Sequence, residues 1–169
     1  DDLVAADVKA DFLPSIINQG TYAGKLYSLG TFDSGLAIWG NKAYLEKAGV
    51  RIPKGIDDAW TKDEFMDALA KLQALDEVEY ALDLKFNYGA GEWFSYGFSP
   101  ILQSFGGDLI DRSTYQSADG VLNGPKAVEG MTFFQDLFKK GYAISQPAGD
   151  DDFYSKKITA LSQIGRAHV

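Results

Sequence analysis

Short apolar runs alternate along the chain with helical segments whose ends carry recognisable signals. The run from Ser34 to Trp39 predicts a strand that is buried on both faces. The sequence Thr61-Lys-Asp-Glu64 is a capping box that opens an amphipathic helix. Pro125 marks the first turn of another helix, which ends before Gly141. Strands that alternate with helices in this way predict an α/β fold built of packed layers.

Four further segments complete the predicted elements. Apolar residues at helical spacing predict a helix near the start of the chain, up to Ile17 and with Pro14 as its one blemish. Residues 41–48 predict a short helix closed by Gly49. The alternation over residues 78–86 predicts a strand, and the aromatic-rich residues 93–105 predict a helix. A polar, turn-rich stretch separates this helix from the one that begins at Pro125.

The composition excludes several classes of protein. Asp and Glu outnumber Lys and Arg by 24 to 16, and a net charge of −8 disfavours nucleic acid as a partner. The chain has no cysteine, which excludes disulfides and thiolate chemistry. No apolar run approaches the ~20 residues that a membrane-spanning helix needs. Aromatic residues reach 14%, which is the unusual value and directs attention to where the rings lie.

The two ends of the chain suggest that it is a piece of a longer protein. The last six residues, Ile164 to Val169, match the translation of a common sequencing adapter, so we expect residues 164–169 to be non-biological. They include the only histidine, His168. The first residues contain neither Met nor a signal-type segment, and we attribute the missing signal peptide to truncation.

The chemistry available to this chain is limited to carboxylates and aromatic rings. There is no phosphate-binding glycine loop and no nucleophile elbow, and without a genuine His or Cys a nucleophilic triad is excluded. Carboxylates and rings suit two kinds of site. One is a glycoside hydrolase, which needs two carboxyl groups at a defined separation. The other is a sugar-binding cleft, in which aromatic faces cover the ligand and a few polar groups bind its hydroxyls.

The best candidate site lies at the start of the aromatic-rich helix. Glu92 stands beside Trp93, Phe94 and Tyr96, which places one carboxylate with three rings. The alternative is that the rings belong to the core and that Glu92 is a solvated acid favoured by the helix dipole. Asp33, just before the apolar run, is a turn residue or a residue that lines a cleft.

A second acidic group is not a metal site. Asp150, Asp151 and Asp152 are consecutive, and consecutive residues do not converge on one ion without the spacing of a calcium-binding loop. We interpret them as a solvated acidic loop and expect neither a metal nor a cofactor.

Read in order, a series of modest motifs resembles the extracellular solute-binding proteins of bacterial ABC-type sugar importers, the group that includes maltose-binding protein. The motifs cover nearly all of residues 20–162. They are Tyr22-Ala-Gly-Lys-Leu-Tyr-Ser-Leu29, Leu36-Ala-Ile-Trp-Gly-Asn-Lys42, Leu45-Glu-Lys-Ala-Gly49 with Pro53, Trp60-Thr-Lys-Asp-Glu-Phe65, the aromatic helix with Gly106-Gly107, the Pro125 helix, and Phe153-Tyr-Ser-Lys-Lys157. Gly40 and Lys156 depart from the family pattern, in which Tyr or Asn and a glycine are usual.

The resemblance implies a type II periplasmic-binding-protein-like fold of two α/β lobes. Residues 1–33 would form the end of the N-terminal lobe and the hinge crossover, and residues 34–163 most of the C-terminal lobe. The family places a carboxylate and a stacking ring against the sugar where Glu92 and Trp93, Phe94 or Tyr96 fall, with Trp93 first, and Asp33 falls at the crossover beside the cleft. Because the ligand groups of the first lobe are missing, we expect this chain to bind sugar weakly or not at all.

The implied function is that of a non-enzymatic binding protein. It would capture a sugar or oligosaccharide in the periplasm or outside the cell, as a monomer, and deliver it to the permease subunits of the importer. One alternative is a fragment of a glycoside hydrolase that uses Asp and Glu carboxylates. Another is a binding protein of the same fold for a non-sugar solute, such as a polyamine, a metal complex or an osmolyte.

Overall fold

The computed structural model describes residues 3–146, 149, 151–155 and 159–168, and for Asp152 and residues 164–168 it describes the backbone alone. The described chain divides into two compact units. One contains the residues up to Ala37 together with those from Gly165 onward, and the other is Ile38–Ile164. The division into lobes at residue 33 stays a prediction, as does the adapter origin of residues 164–169.

The first unit contains two short helices and a hairpin. Helix α1 is Ala6–Ala10 and helix α2 is Pro14–Gly20. The single helix predicted here is wrong, because Leu13, which precedes the proline, is extended and Pro14 starts a new helix. Strands β1 (Thr21–Tyr22) and β2 (Lys25–Leu26) pair antiparallel.

The remaining elements follow in chain order. Strand β3 is Asp33–Gly40, helix α3 is Lys42–Lys47, and helix α4 is Lys62–Gln73. Strand β4 is Tyr80–Asp83, helix α5 is Glu92–Ser104, and helix α6 is Pro125–Lys139. Strand β5 is Ala143–Ile144, helix α7 is Asp151–Tyr154, and strand β6 is Thr159–His168. Two 3₁₀ turns, Ile56–Asp58 and Phe86–Tyr88, lie between them.

The helix signals in the sequence are confirmed. The Asn41 side chain caps α3, and Gly49 after it has φ +64°. The Thr61 hydroxyl and the Glu64 carboxylate form the complete capping box of α4. Pro125 occupies the first turn of α6.

Strands β3, β6, β4 and β5 form a four-stranded sheet in that order. Strand β4 is parallel to both of its neighbours, with Leu82 opposite Ala143 of β5 and Leu161 of β6. Helix α4 packs against β4, helix α6 packs against β5, and helix α5 packs against α6. Together these elements bury a core of aliphatic residues. This core includes Leu69, Leu72, Ala81, Leu82, Leu84, Leu137 and Leu161.

Three sequence predictions need correction. The strand at residues 34–39 exists as β3, but it is largely exposed because it lies at the edge of the sheet; Ile38 and Trp39 are 44% and 41% exposed. The strand at residues 78–86 is shorter than predicted and ends at Asp83. Asp151 and Asp152 begin helix α7 rather than lie in a loop, whereas Asp150 lies outside the described residues.

Candidate functional site

Helix α5 begins at the predicted cluster. Gly91 precedes it with φ +146°, a backbone conformation that favours glycine, and Glu92 is the first helical residue. Glu92 is exposed in the first turn, where the helix dipole favours a negative charge. The Ser95 hydroxyl donates a hydrogen bond to the main-chain carbonyl of Glu92 at 3.0 Å. The Glu92 carboxylate therefore stands at the surface, at the start of a 13-residue helix.

Trp93 is the most firmly held member of the cluster. Its indole is half-buried, and Nε1 donates a hydrogen bond to the main-chain carbonyl of Leu84 at 3.3 Å. Its ring meets three others edge-on: Tyr88 at 4.9 Å, Tyr96 at 6.0 Å and Phe98 at 6.2 Å between centroids. Edge-to-face pairs at these distances are attractive, so the orientation of the indole is well determined.

Phe94 and Tyr96 are partly core residues and partly surface residues. The Phe94 ring contacts Phe86 at 5.7 Å and Phe98 at 5.3 Å, yet Phe94 is 39% exposed and Tyr96 is 38% exposed. We call the rings of Phe86, Tyr88, Trp93, Phe94, Tyr96 and Phe98 the aromatic cluster. Its inner rings, Phe86 and Phe98, contact Phe134 at the edge of the core, whereas Phe94 and Tyr96 leave apolar surface exposed on the helix that begins at Glu92. The interpretation of the rings as core residues thus fits Phe86 and Phe98, whereas Phe94 and Tyr96 are partly exposed at the surface.

The aromatic cluster lies at the carboxyl end of strand β4. The strand ends at Asp83, and the carbonyl of the next residue, Leu84, binds the Trp93 indole. In open α/β sheets, ligands bind outside the carboxyl ends of the parallel strands. The position of the cluster in the sheet therefore agrees with that of a ligand site.

Several buried polar residues next to the cluster were missed by the sequence analysis. Asp83 and Lys85 are fully buried, and they form an ion pair. On β6, Ser162 lies opposite Asp83, and the Gln163 side-chain amide donates a hydrogen bond to the carbonyl of Gly97. Asp83 is interior because β4 has a parallel neighbour on each side, and Lys85, which follows the end of the strand, is buried with it.

Asp33 belongs to the first unit and has local partners there. Its Oδ2 accepts a hydrogen bond from the Ser15 hydroxyl at 2.5 Å, and its Oδ1 accepts one from the main-chain N–H of Ser34 at 2.7 Å. These bonds give Asp33 a structural role at the start of β3. Its role toward a ligand stays a prediction.

A separate cleft of about 530 Å³ is lined by none of the aromatic cluster. Its walls are mostly apolar and include Ile52, Pro53, Trp60, Phe65 and Leu161. A sugar presents hydroxyl groups around its ring and needs placed polar partners, which this lining supplies poorly. The start of α5 differs from this cleft in combining the exposed Glu92 with the partly exposed Phe94 and Tyr96.

Among the residues that the structure describes, no three His, Cys, Asp or Glu side chains gather closely enough to hold a metal ion. No helix there is long and apolar enough to cross a membrane.

Comparisons with known proteins add independent findings. A family model described as bacterial extracellular solute-binding protein matches residues 1–160. A search of the curated proteins found no match. Among solved structures, the GacH receptor of Streptomyces glaucescens, determined unliganded and with acarbose, is 27% identical with a TM-score of 0.69. The cyclic alpha-maltosyl-1,6-maltose binding protein from Arthrobacter globiformis is 22% identical with a TM-score of 0.71. UgpB from Mycobacterium tuberculosis, in complex with glycerophosphocholine, is 18% identical with a TM-score of 0.66.

The alignments cover most of this chain and a minor part of the similar proteins. They include 92%, 96% and 93% of this chain, but only 37%, 39% and 37% of the three proteins in the same order. The chain thus spans less than two fifths of the length of these structures.

Proposed function

The chain belongs to the bacterial extracellular solute-binding proteins, and on that premise we propose that it is part of the substrate-binding component of an ABC-type sugar importer. Its α/β fold is that of the type II periplasmic binding proteins, as the resemblance in the sequence predicted. The family and the similar structures are binding proteins rather than enzymes. We propose the same for this chain, with a sugar or oligosaccharide as its ligand.

The observation that carries the proposal is the exposed apolar surface of the aromatic cluster on the helix whose first turn carries the exposed Glu92 carboxylate. Phe94 and Tyr96 leave more than a third of their surface exposed, and the indole of the half-buried Trp93 is anchored by the Leu84 carbonyl. Flat rings cover the C–H faces of a pyranose, and an exposed carboxylate such as that of Glu92 accepts hydrogen bonds from its hydroxyls. This combination supports assigning Trp93, Glu92, Tyr96 and Phe94 to ligand binding.

The proposed mechanism requires a second lobe. A ligand that contacts two lobes only when they close shifts the population toward the closed form, and in this proposal that form delivers the ligand to the permease. The ligand groups of that lobe would come from outside residues 34–163, with Asp33 at the crossover between the lobes. In this scheme the protein works as a monomer outside the cytoplasmic membrane and reaches the membrane through the importer.

A pair of tryptophan variants tests the assignment. Trp60 is a matched control for Trp93, because both indoles are half-buried, both contact a phenylalanine ring, and both donate to a main-chain carbonyl; Trp60 binds that of Arg51 at 2.9 Å. In the complete gene product, Trp93→Ala should weaken acarbose binding by about 1 kcal/mol or more, which is about fivefold in Kd. Trp60→Ala should destabilise the fold similarly but leave the Kd unchanged. If Trp60→Ala alone weakens binding, the cleft beside Trp60 is the site and the assignment to Trp93 is wrong.

A cyclic sugar separates a binding protein from a hydrolase. Cyclic alpha-maltosyl-1,6-maltose has no reducing end, so hydrolysis of any of its glycosidic bonds creates one. We expect tryptophan fluorescence to show saturable binding of such sugars. We also expect that no reducing ends form during prolonged incubation. Release of reducing ends would favour the glycoside hydrolase. Saturation by glycerophosphocholine and not by sugars would favour the non-sugar binding protein.

A further inference from the structure

The fully buried ion pair between Asp83 and Lys85 calls for an explanation. Neither side chain has exposed surface. Asp83 is the last residue of the inner strand β4, and Lys85 lies two residues beyond it. Removing two charges from water is unfavourable, and well-packed apolar residues would often serve stability equally well. A role in fixing one particular local conformation is the best-supported reason to keep such a pair.

Asp83 binds Lys85 through both of its carboxylate oxygens. Oδ1 accepts a hydrogen bond from the main-chain N–H of Lys85 at 2.8 Å, and Oδ2 lies 2.7 Å from the Lys85 ammonium nitrogen. The Asp83 carboxylate therefore contacts both the main-chain N–H and the ammonium group of Lys85. An aspartate that bonds the N–H two residues ahead forms a local turn, and here the ion pair reinforces that turn.

The turn that this carboxylate closes is an unusual one. Lys85 has φ +56° and ψ +44°, the left-handed region that a residue with a Cβ rarely adopts. Glycine would adopt it freely, but glycine has no charge for Asp83 to hold. The ion pair and the hydrogen bond thus stabilise a backbone conformation that lysine otherwise avoids.

The same turn determines where part of the aromatic cluster lies. The Lys85 carbonyl accepts a hydrogen bond from the N–H of Tyr88 at 3.0 Å, which starts the 3₁₀ turn Phe86–Tyr88. The Tyr88 ring then meets Trp93 at 4.9 Å. The residue between the paired charges, Leu84, provides the carbonyl that binds the Trp93 indole. One short segment therefore supports Trp93 from two sides.

We infer that Asp83 and Lys85 are positioning residues for the sugar-binding surface: they hold the left-handed turn that orients Tyr88 and Trp93. This inference rests on the function proposed above for Trp93. The paired charges act through the aromatic cluster and do not touch the ligand, since both are enclosed in the protein.

Two double variants of the complete gene product test the inference. Asp83→Val with Lys85→Met removes both charges together, so that neither is left buried without its partner. It also removes the ion pair and the hydrogen bond that hold residue 85 in the left-handed region, which methionine, like lysine, avoids. The Trp93 indole N–H resonance should move away from its wild-type position, and the Kd for acarbose should rise about tenfold. Asp83→Val with Lys85→Gly should return the Trp93 resonance and the Kd toward their wild-type values, because glycine adopts the left-handed conformation without help from Asp83.

A stability control separates positioning from general weakening. Leu72→Ala removes a fully buried side chain from α4 and lowers the unfolding midpoint. Measured where all variants are folded, it should leave the Trp93 resonance and the Kd at wild-type values. The inference is overturned if the double variant with Lys85→Met also keeps both values, or if the one with Lys85→Gly restores neither. The resonance needs no ligand, so it decides the positioning role even if no probe binds and the proposed function fails.

Discussion

Alanine at Gly97 is the sharpest perturbation of the site that the structure offers. Gly97 is buried in α5, and a Cβ built there would lie 2.9 Å and 3.0 Å from two atoms of the Trp93 indole. Such distances are too short for ordinary contact, so the indole or the helix must move. The indole cannot yield easily, because Leu84 holds its N–H and Tyr88 meets its ring.

A second helix glycine provides a matched control. Gly130 is buried in α6, and a Cβ there would meet the Phe105 ring side chain at 3.4 Å, an ordinary contact distance. Exchanging glycine for alanine inside a helix gains about 1 kcal/mol from helix propensity at either position. At Gly97 this gain is opposed by overpacking, which costs about 1–3 kcal/mol. Gly130→Ala should therefore be neutral or stabilising by up to about 1 kcal/mol. The free energy of unfolding of Gly97→Ala should be about 1–3 kcal/mol lower than that of Gly130→Ala.

Urea unfolding followed by circular dichroism measures the two free energies of unfolding. The indole N–H resonance of Trp93 reports the displacement independently, and it should shift in Gly97→Ala and stay in place in Gly130→Ala. Equal free energies for the two variants, together with an unmoved Trp93 resonance, would refute the tight contact between Gly97 and the indole.

Three further predictions follow from local structure. Thr61→Ala removes half of the capping box with Glu64 and should lower the free energy of unfolding by about 1 kcal/mol in urea unfolding, whereas an unchanged midpoint would contradict the cap. Hydrogen bonds from Arg112, with others from Gln103 and the Leu109 N–H, lower the pKa of the Asp108 carboxyl. The contribution of this carboxylate to stability is therefore present above pH ~4 and is lost as the pH falls through the lowered pKa. The difference in melting temperature between the wild type and Asp108→Asn should therefore shrink in acid, and a constant difference would argue against the pairing. Leu137→Ala, at a fully buried core position, should cost about 2–5 kcal/mol in the same unfolding assay, and a loss below about 1 kcal/mol would mean that α6 does not close the core there.

Helices α3, α4 and α6 were predictable because their signals are local. The cap at Asn41, the capping box at Thr61 and the first-turn proline at Pro125 each act within one turn of the helix that they begin. The start of α5 at Glu92 was likewise predictable, and with it the grouping of one carboxylate with three rings. These features depend on neighbours in the sequence and on no distant segment.

The missed features depend on distant parts of the chain. Asp83 is interior because β5 and β6 pair with β4 on both sides, and Lys85 is buried just beyond the end of that strand. Tyr88 joins the aromatic cluster through the 3₁₀ turn that follows Lys85, whose left-handed conformation is one that the identity of a lysine does not suggest. Conversely, the exposure of β3 follows from its edge position in the sheet, which the apolar run at residues 34–39 does not reveal.

The most direct test of the proposed function is to follow the indole N–H resonances of the complete gene product, labelled with ¹⁵N-tryptophan, during titration with acarbose. Trp93 and Trp60 are both anchored to a main-chain carbonyl, and Trp60 lines the separate cleft whereas Trp93 belongs to the aromatic cluster, so the two indoles report on different candidate sites. We predict a saturable shift of the Trp93 resonance with little change at Trp60. Saturable binding that moves Trp60 and leaves Trp93 unchanged would contradict a sugar site at the start of α5.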